Sequence, residues 1–186
     1  MSVKTKQIIP MPYFFIALTL IPVYLIVLLL PAQADTSTYI ELNNFLDTYL
    51  LGQVGFWSSN FPLSSKVVTN YIGIFGPFFA FVFFIKVYKG LVMDPDQYKN
   101  HTFFKYFFSA LVMIGLVLFL IYINYIGSVD LGSHTRKWRF FGSNVFTYAL
   151  FSSGMLLSLY GMTLFCYSGF FYLPRILVKR WRNNKD

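Results

Sequence analysis

Acid–base, metal or nucleophilic chemistry in this chain would have to come from seven acidic residues, two histidines and one cysteine. A catalytic group needs several such side chains converging on one point. The acids and both histidines fall in polar connections, and none lies within a long apolar stretch, so no proton relay or intramembrane ion site is predicted. His101 and His134 sit in different connections, expected on opposite sides of a membrane, and cannot share a metal. Zinc-ligand spacing, a serine in a nucleophile elbow, a glycine loop for phosphate and the inverted halves of a transporter are all missing from the pattern. The expectation is a protein that is not an enzyme, with no catalytic residue, no metal and no cofactor. Cys166, alone in an apolar run, cannot form an intramolecular disulfide and is assigned to packing.

The residue chemistry that remains is recognition. Asp130, His134, Arg136, Lys137 and Arg139 form a compact charged group beside Trp138. They are expected either to pair with acids in residues 33–66, to be offered to a partner, or to anchor at lipid headgroups. Gly154, Ser158, Gly161 and Ser168 recur at helical spacing, a stripe of small residues against which another helix can pack closely. That helix can belong to the same chain or to a partner, and a homo-oligomer stays open.

These residues are positioned by elements that read as membrane helices. Of 186 residues, 56% are hydrophobic and 12% charged, about half the charged share of a soluble domain. Aromatics reach 22%, more than a core of this size can hold, which points to lipid contact. The net charge of +8 lies in short clusters between uncharged runs rather than along one face, which excludes a nucleic-acid binder and marks the charge as topological. The predicted architecture is all-α: one membrane domain over residues 1–186, a four-helix bundle with spans at about 12–32, 67–85, 106–128 and 145–173. The last of these would be roughly 43 Å long if wholly helical, so it must tilt or project.

Pro22 in the first run is tolerated as a kink, and Gly76-Pro77 in the second reads as a kink or, less simply, as a break lining a site. Thr38 to Glu41 fits a capping box, followed by Leu42, Phe45, Leu46, Tyr49 and Leu50 at helical spacing. This predicts a short amphipathic helix on the membrane surface, able to dock a partner or to cover the bundle end. An alternative for the N-terminus is a secretory signal cleaved after Ala32-Gln33-Ala34. Retention as the first span is preferred, because the apolar run is longer than a signal core. Eleven of the fifteen basic residues then fall on the side of Lys4 and Lys6, which predicts both termini on the cytoplasmic side.

Several stretches resemble one family. Asn60-Phe61-Pro62-Leu63, then Lys66-Val67 and Gly76-Pro77-Phe78-Phe79-Ala80, are similar to the entry and body of the second span in immunity proteins against pore-forming colicins of the colicin A type. The loop from Asp130 to Arg139 and the ending Phe171-Tyr172-Leu173-Pro174-Arg175 with its basic tail are similar as well, so the resemblance covers roughly residues 12–182. The Ala32-Gln33-Ala34 tripeptide departs from the family's pattern. The resemblance implies a multi-pass protein of the bacterial inner membrane. Its partner would be the C-terminal pore domain of a bacteriocin, held through helix contacts inside the bilayer and through outer loops so that the pore does not open. Position and residue type then nominate Gly154, Ser158 and Gly161 for the intramembrane contact, and the group from Asp130 to Arg139 for loop recognition. The competing reading is a non-catalytic subunit or assembly factor of a larger inner-membrane complex.

Overall fold

The computed structural model describes residues 8–93, 102–133 and 136–183. Its elements in chain order are α1 (Tyr13–Leu29), α2 (Ser37–Tyr49), β1 (Gly55–Trp57), α3 (Pro62–Tyr88), α4 (Phe103–Tyr125), β2 (Ser128–Asp130), α5 (Arg136–Ser143), α6 (Val145–Tyr167) and α7 (Leu173–Asn183). A five-residue π-helical turn, Ser168–Tyr172, joins α6 to α7 without a break. Three helices are long and apolar enough to cross a membrane: Pro62–Tyr88, Phe103–Tyr125 and the continuous Val145–Lys179. The apolar α1 is shorter, at 17 residues.

The helices run up and down. The Ala32 carbonyl, just past α1, accepts from the Leu63 N–H at the start of α3 (3.0 Å), so that end of α1 meets the first turn of α3. At the other end Ile8 and Val92 exchange two backbone hydrogen bonds of 3.0 Å, and Tyr172 donates to the Met93 carbonyl (2.9 Å). The segment before α1, the connection after α3 and the junction of α6 with α7 therefore share one end of the bundle.

The core lies among α1, α3 and α6. Val23, Val27, Val68, Ile72, Tyr148 and Ala149 fill one half, and Ala80, Phe83, Val87, Leu156 and Tyr160 the other. Close approach is possible where Gly76 faces α6, since a Cβ there would stand 2.6 Å from Leu159 Cδ1. Polar side chains inside this core are paired across helices: Tyr71 donates to the Thr19 carbonyl (2.8 Å) and Tyr160 to the Thr19 hydroxyl (2.7 Å). Thr19 lies one residue along from the carbonyl that Pro22, lacking an N–H, cannot serve, so neighbouring helices supply hydrogen bonds where α1 loses one. By contrast α4 leans on the bundle, with 11% of its most apolar stretch buried against 44% for α3.

Several expectations are corrected. The architecture is not purely α: β1 and β2 form a two-stranded parallel sheet. The capping box is not made, because α2 starts at Ser37 after Thr36 and that N-cap makes no side-chain hydrogen bond. Pro62 opens α3, its fixed φ and missing N–H being tolerated in a first turn, so the helix begins before Lys66 instead of after it. The α3 helix continues through Gly76-Pro77, which removes the idea of a broken helix there. Because the chain leaves for the sheet at Gly127, α4 ends at Tyr125, short of the expected 128. The last helix passes residue 173 and reaches Asn183; the wider π-turn relieves the clash that Pro174 would otherwise make with the carbonyl four residues earlier.

Candidate functional site

Of the nominated loop residues, Asp130, Lys137 and Arg139 lie in a cap over the end of the bundle where α3 and α6 begin. Its frame is the pairing of Gly55, Phe56 and Trp57 with Ser128, Val129 and Asp130. Two left-handed glycines, Gly52 (φ 64°) and Gly55 (φ 76°), turn the chain from α2 into β1. The side chain of Asn70 on α3 holds that turn, accepting from the Leu51 N–H (2.9 Å) and donating to the Gly52 carbonyl (2.8 Å). Tyr148 on α6 donates to the Phe56 carbonyl (2.8 Å), tying β1 down to the bundle. Beneath the sheet, the Gly142 carbonyl accepts from the Ser58 hydroxyl (2.6 Å) and the Asn60 amide (2.8 Å). A Cβ on Gly142 would collide with the backbone of Leu131 and stand 2.6 Å from the Gly132 nitrogen, so only glycine fits.

Within this cap Asp130 does structural work. Its carboxylate accepts from the Ser59 N–H (2.9 Å) and the Gly132 N–H (2.8 Å), joining the two outer segments and closing its own turn. Partial burial pushes its pKa up, but hydrogen bonds from Ser59, Ser133 and Gly132 outweigh that and hold the carboxyl below its ordinary range. His134 and the side chain of Arg136 lie outside the described residues. Lys137 and Arg139 are exposed on α5, while Trp138 between them stacks on Phe56 with centroids 6.0 Å apart. Neither cation pairs with an acid of residues 33–66; among the described residues the ion pair is Lys66 with Asp47, at 2.9 Å. Of the expected roles for this basic pair, presentation to a partner or to headgroups remains.

That ion pair was not foreseen. Lys66, read as a boundary charge, is buried inside the second turn of α3, and its ammonium donates to Asn43 (2.8 Å) as well as to Asp47. It pins α2 against the bundle. This docking covers only part of the apolar side of the segment: Leu46 is buried, whereas Phe45 and Tyr49 of α2 and Leu50 just after it are exposed.

Gly154, Ser158 and Gly161 lie on the face of α6 turned away from the core, which is formed by Tyr148, Ala149, Ser152, Leu156 and Tyr160. A Cβ at Gly154 or Gly161 would meet nothing within 4 Å, so among the described residues neither glycine is packed against another helix. The Ser158 hydroxyl is turned back to the Met155 carbonyl (2.6 Å). The structure thus keeps the two nominated sets apart in kind: a hydrogen-bonded cap with Lys137 and Arg139 exposed on its surface, and a small-residue face on α6. Among the described residues no three His, Cys, Asp or Glu side chains come together to hold a metal. No protein-family model, characterised protein or solved structure matches this chain.

Proposed function

We propose that this chain is a multi-pass immunity protein of the bacterial inner membrane, which binds the pore-forming domain of a bacteriocin and keeps its pore from opening. The four apolar helices α1, α3, α4 and α6 each cross the bilayer, α1 at the lower end of the usual span length of about 17–25 residues. Both termini face the cytoplasm, by the excess of lysine and arginine on their side. The observation that carries the reading is the α6 face. Gly154 and Gly161 offer bare backbone to open space on a helix whose opposite side builds the core, and in lipid such a surface gains most from a closely packed partner helix. Exposed Lys137 and Arg139 on the cap supply charge by which one toxin is distinguished from another.

Expression in a bacteriocin-sensitive strain, challenged with a panel of pore-forming bacteriocins, tests this directly. Protection against at least one is expected. Protection against none, with recovery of a host membrane protein in fixed stoichiometry, would replace the proposal with a structural subunit of a larger complex. Gly161→Leu should abolish protection while leaving the chain inserted, because a Cβ at that position meets no described atom of its own protein within 4 Å. Lys137→Ala with Arg139→Ala should weaken protection and change which bacteriocins are resisted; an unaltered profile would remove the cap from recognition.

A further inference from the structure

We propose that the cleft between α3, α4 and the α6–α7 helix is a site for one anionic phospholipid, with acyl chain among the helices and phosphate at Arg175. Because α4 stands off α3 along its middle, a cleft of about 730 Å³ opens there, walled by side chains such as Ala80 and Phe84 of α3, Val117 and Ile121 of α4, and Leu159 and Met162 of α6. That volume falls in the range of about 300–1,000 Å³ typical of small-molecule sites. The wall is mostly apolar, and among the described residues Arg175 is the one charged side chain on it. Arg175 is exposed, and no carboxylate among the described residues lies within ion-pairing distance of it. Directly beyond, Arg175, Lys179 and Arg182 line a second, shallower concavity that continues the positive charge.

The backbone places Arg175 where it is. A π-turn inserts one extra residue into the helical repeat and turns everything after it by about 100°. In an uninterrupted helix Arg175 would project about 180° from Cys166 and about 120° from Thr163, which line the cleft. With the turn at Ser168–Tyr172, Phe171 and Arg175 swing onto the cleft side. The same turn packs Gly169 against Met113 and so ties α4 to the bundle near this end.

The occupant follows from environment and charge. An apolar cleft open to hydrocarbon is filled by the acyl chains around it, since a void forfeits dispersion contacts. A cation at its mouth, on the end that carries the basic tail, selects lipids with a negative headgroup, and basic pockets between membrane helices on the cytoplasmic side are where such headgroups are held. The inference is independent of the immunity reading, because it uses neither the cap nor the glycine face.

The full chain, purified in mild detergent and titrated with phosphatidylglycerol or phosphatidylcholine under native mass spectrometry, should retain one phosphatidylglycerol in preference to phosphatidylcholine. Arg175→Gln should reduce that preference by about five- to ten-fold while some lipid of either kind is still retained. Val117→Trp, which narrows the cleft, should reduce retention of both lipids. Equal retention of the two lipids by the native chain, or an Arg175→Gln variant with undiminished preference, would overturn the assignment. So would a dimer or a co-purified polypeptide in place of lipid, lost on Val117→Trp.

Discussion

Two glycines of the same residue type face opposite constraints, and substitution separates them. At Gly142 an added methyl would overlap the Leu131 backbone, so Gly142→Ala should cost about 1–3 kcal/mol as the cap shifts. At Gly154 the same change meets nothing, and the gain in helix propensity should stabilise the chain by about 0.5–1 kcal/mol. Thermal unfolding in detergent would show the opposite signs; equal effects would mean that the cap is not packed as described. Asp130 gives a second residue-scale test. Its folded pKa lies below the ordinary carboxylate value of about 3.9, so its contribution to the cap is complete above that value and disappears as pH falls through the lower folded one. Acid titration of tryptophan emission, with Trp57 and Trp138 in the cap, should show loosening at that low pH. In Asp130→Asn this acid transition should vanish, and an unchanged midpoint would assign it to another group. The Asp130 role was legible in part: an aspartate two residues before a glycine is the pattern of a side chain closing its own turn onto the Gly132 N–H. Its second bond, to Ser59, spans 71 positions and leaves no local trace.

At the scale of elements, uncharged runs marked the apolar helices because a span needs length and apolarity more than any particular residue. Their ends were less legible, since charge was used as punctuation. Lys66 is the clear case: the residue lies within α3 with its ammonium buried because Asn43 and Asp47 reach it from α2, and that pairing depends on how α2 is docked. The sheet was invisible for a similar reason. Two three-residue strands carry no periodicity, and their parallel pairing joins segments from either side of α3 and α4. The docking of α2 is testable through Asp47, whose side chain is 46% exposed against 8% for Lys66. Removing Asp47 leaves the lysine buried with Asn43 as its remaining partner. After allowance for exposure of the acid, Asp47→Ala should weaken the docking by about 1–2 kcal/mol. Amide exchange over residues 37–49 should quicken while that of α3 is unchanged. Equal protection in both proteins would show that Leu46 and the Lys66–Asn43 hydrogen bond hold α2 without Asp47. The exposed Phe45, Tyr49 and Leu50 suit a helix resting on lipid, the placement expected for it from its spacing.

For the whole molecule, the backbone ties at the two ends limit how the chain can thread a bilayer. The β1–β2 pairing puts residues 55–57 and 128–130 at one end, and the Ile8–Val92 bridge puts the start of α1 and the end of α3 at the other. With 17 residues, α1 is roughly 26 Å long, close to the hydrocarbon thickness of about 30 Å, so its two ends cannot both lie at one surface while it stands against α3 and α6. In the proposed topology each of the four apolar helices makes one crossing, and the exposed basic residues Lys89, Arg175, Lys179 and Arg182 collect at the end proposed to be cytoplasmic. Single cysteines in a Cys166→Ala background test this with a membrane-impermeant thiol reagent. Ser59→Cys and Ser133→Cys, both exposed on the cap, should react in cells with a permeabilised outer membrane. Lys89→Cys and Arg182→Cys should react only after the inner membrane is opened. If all four sites react from one side, none of α3, α4 and α6 crosses, and the proposed mode of recognition inside the bilayer would have to be abandoned.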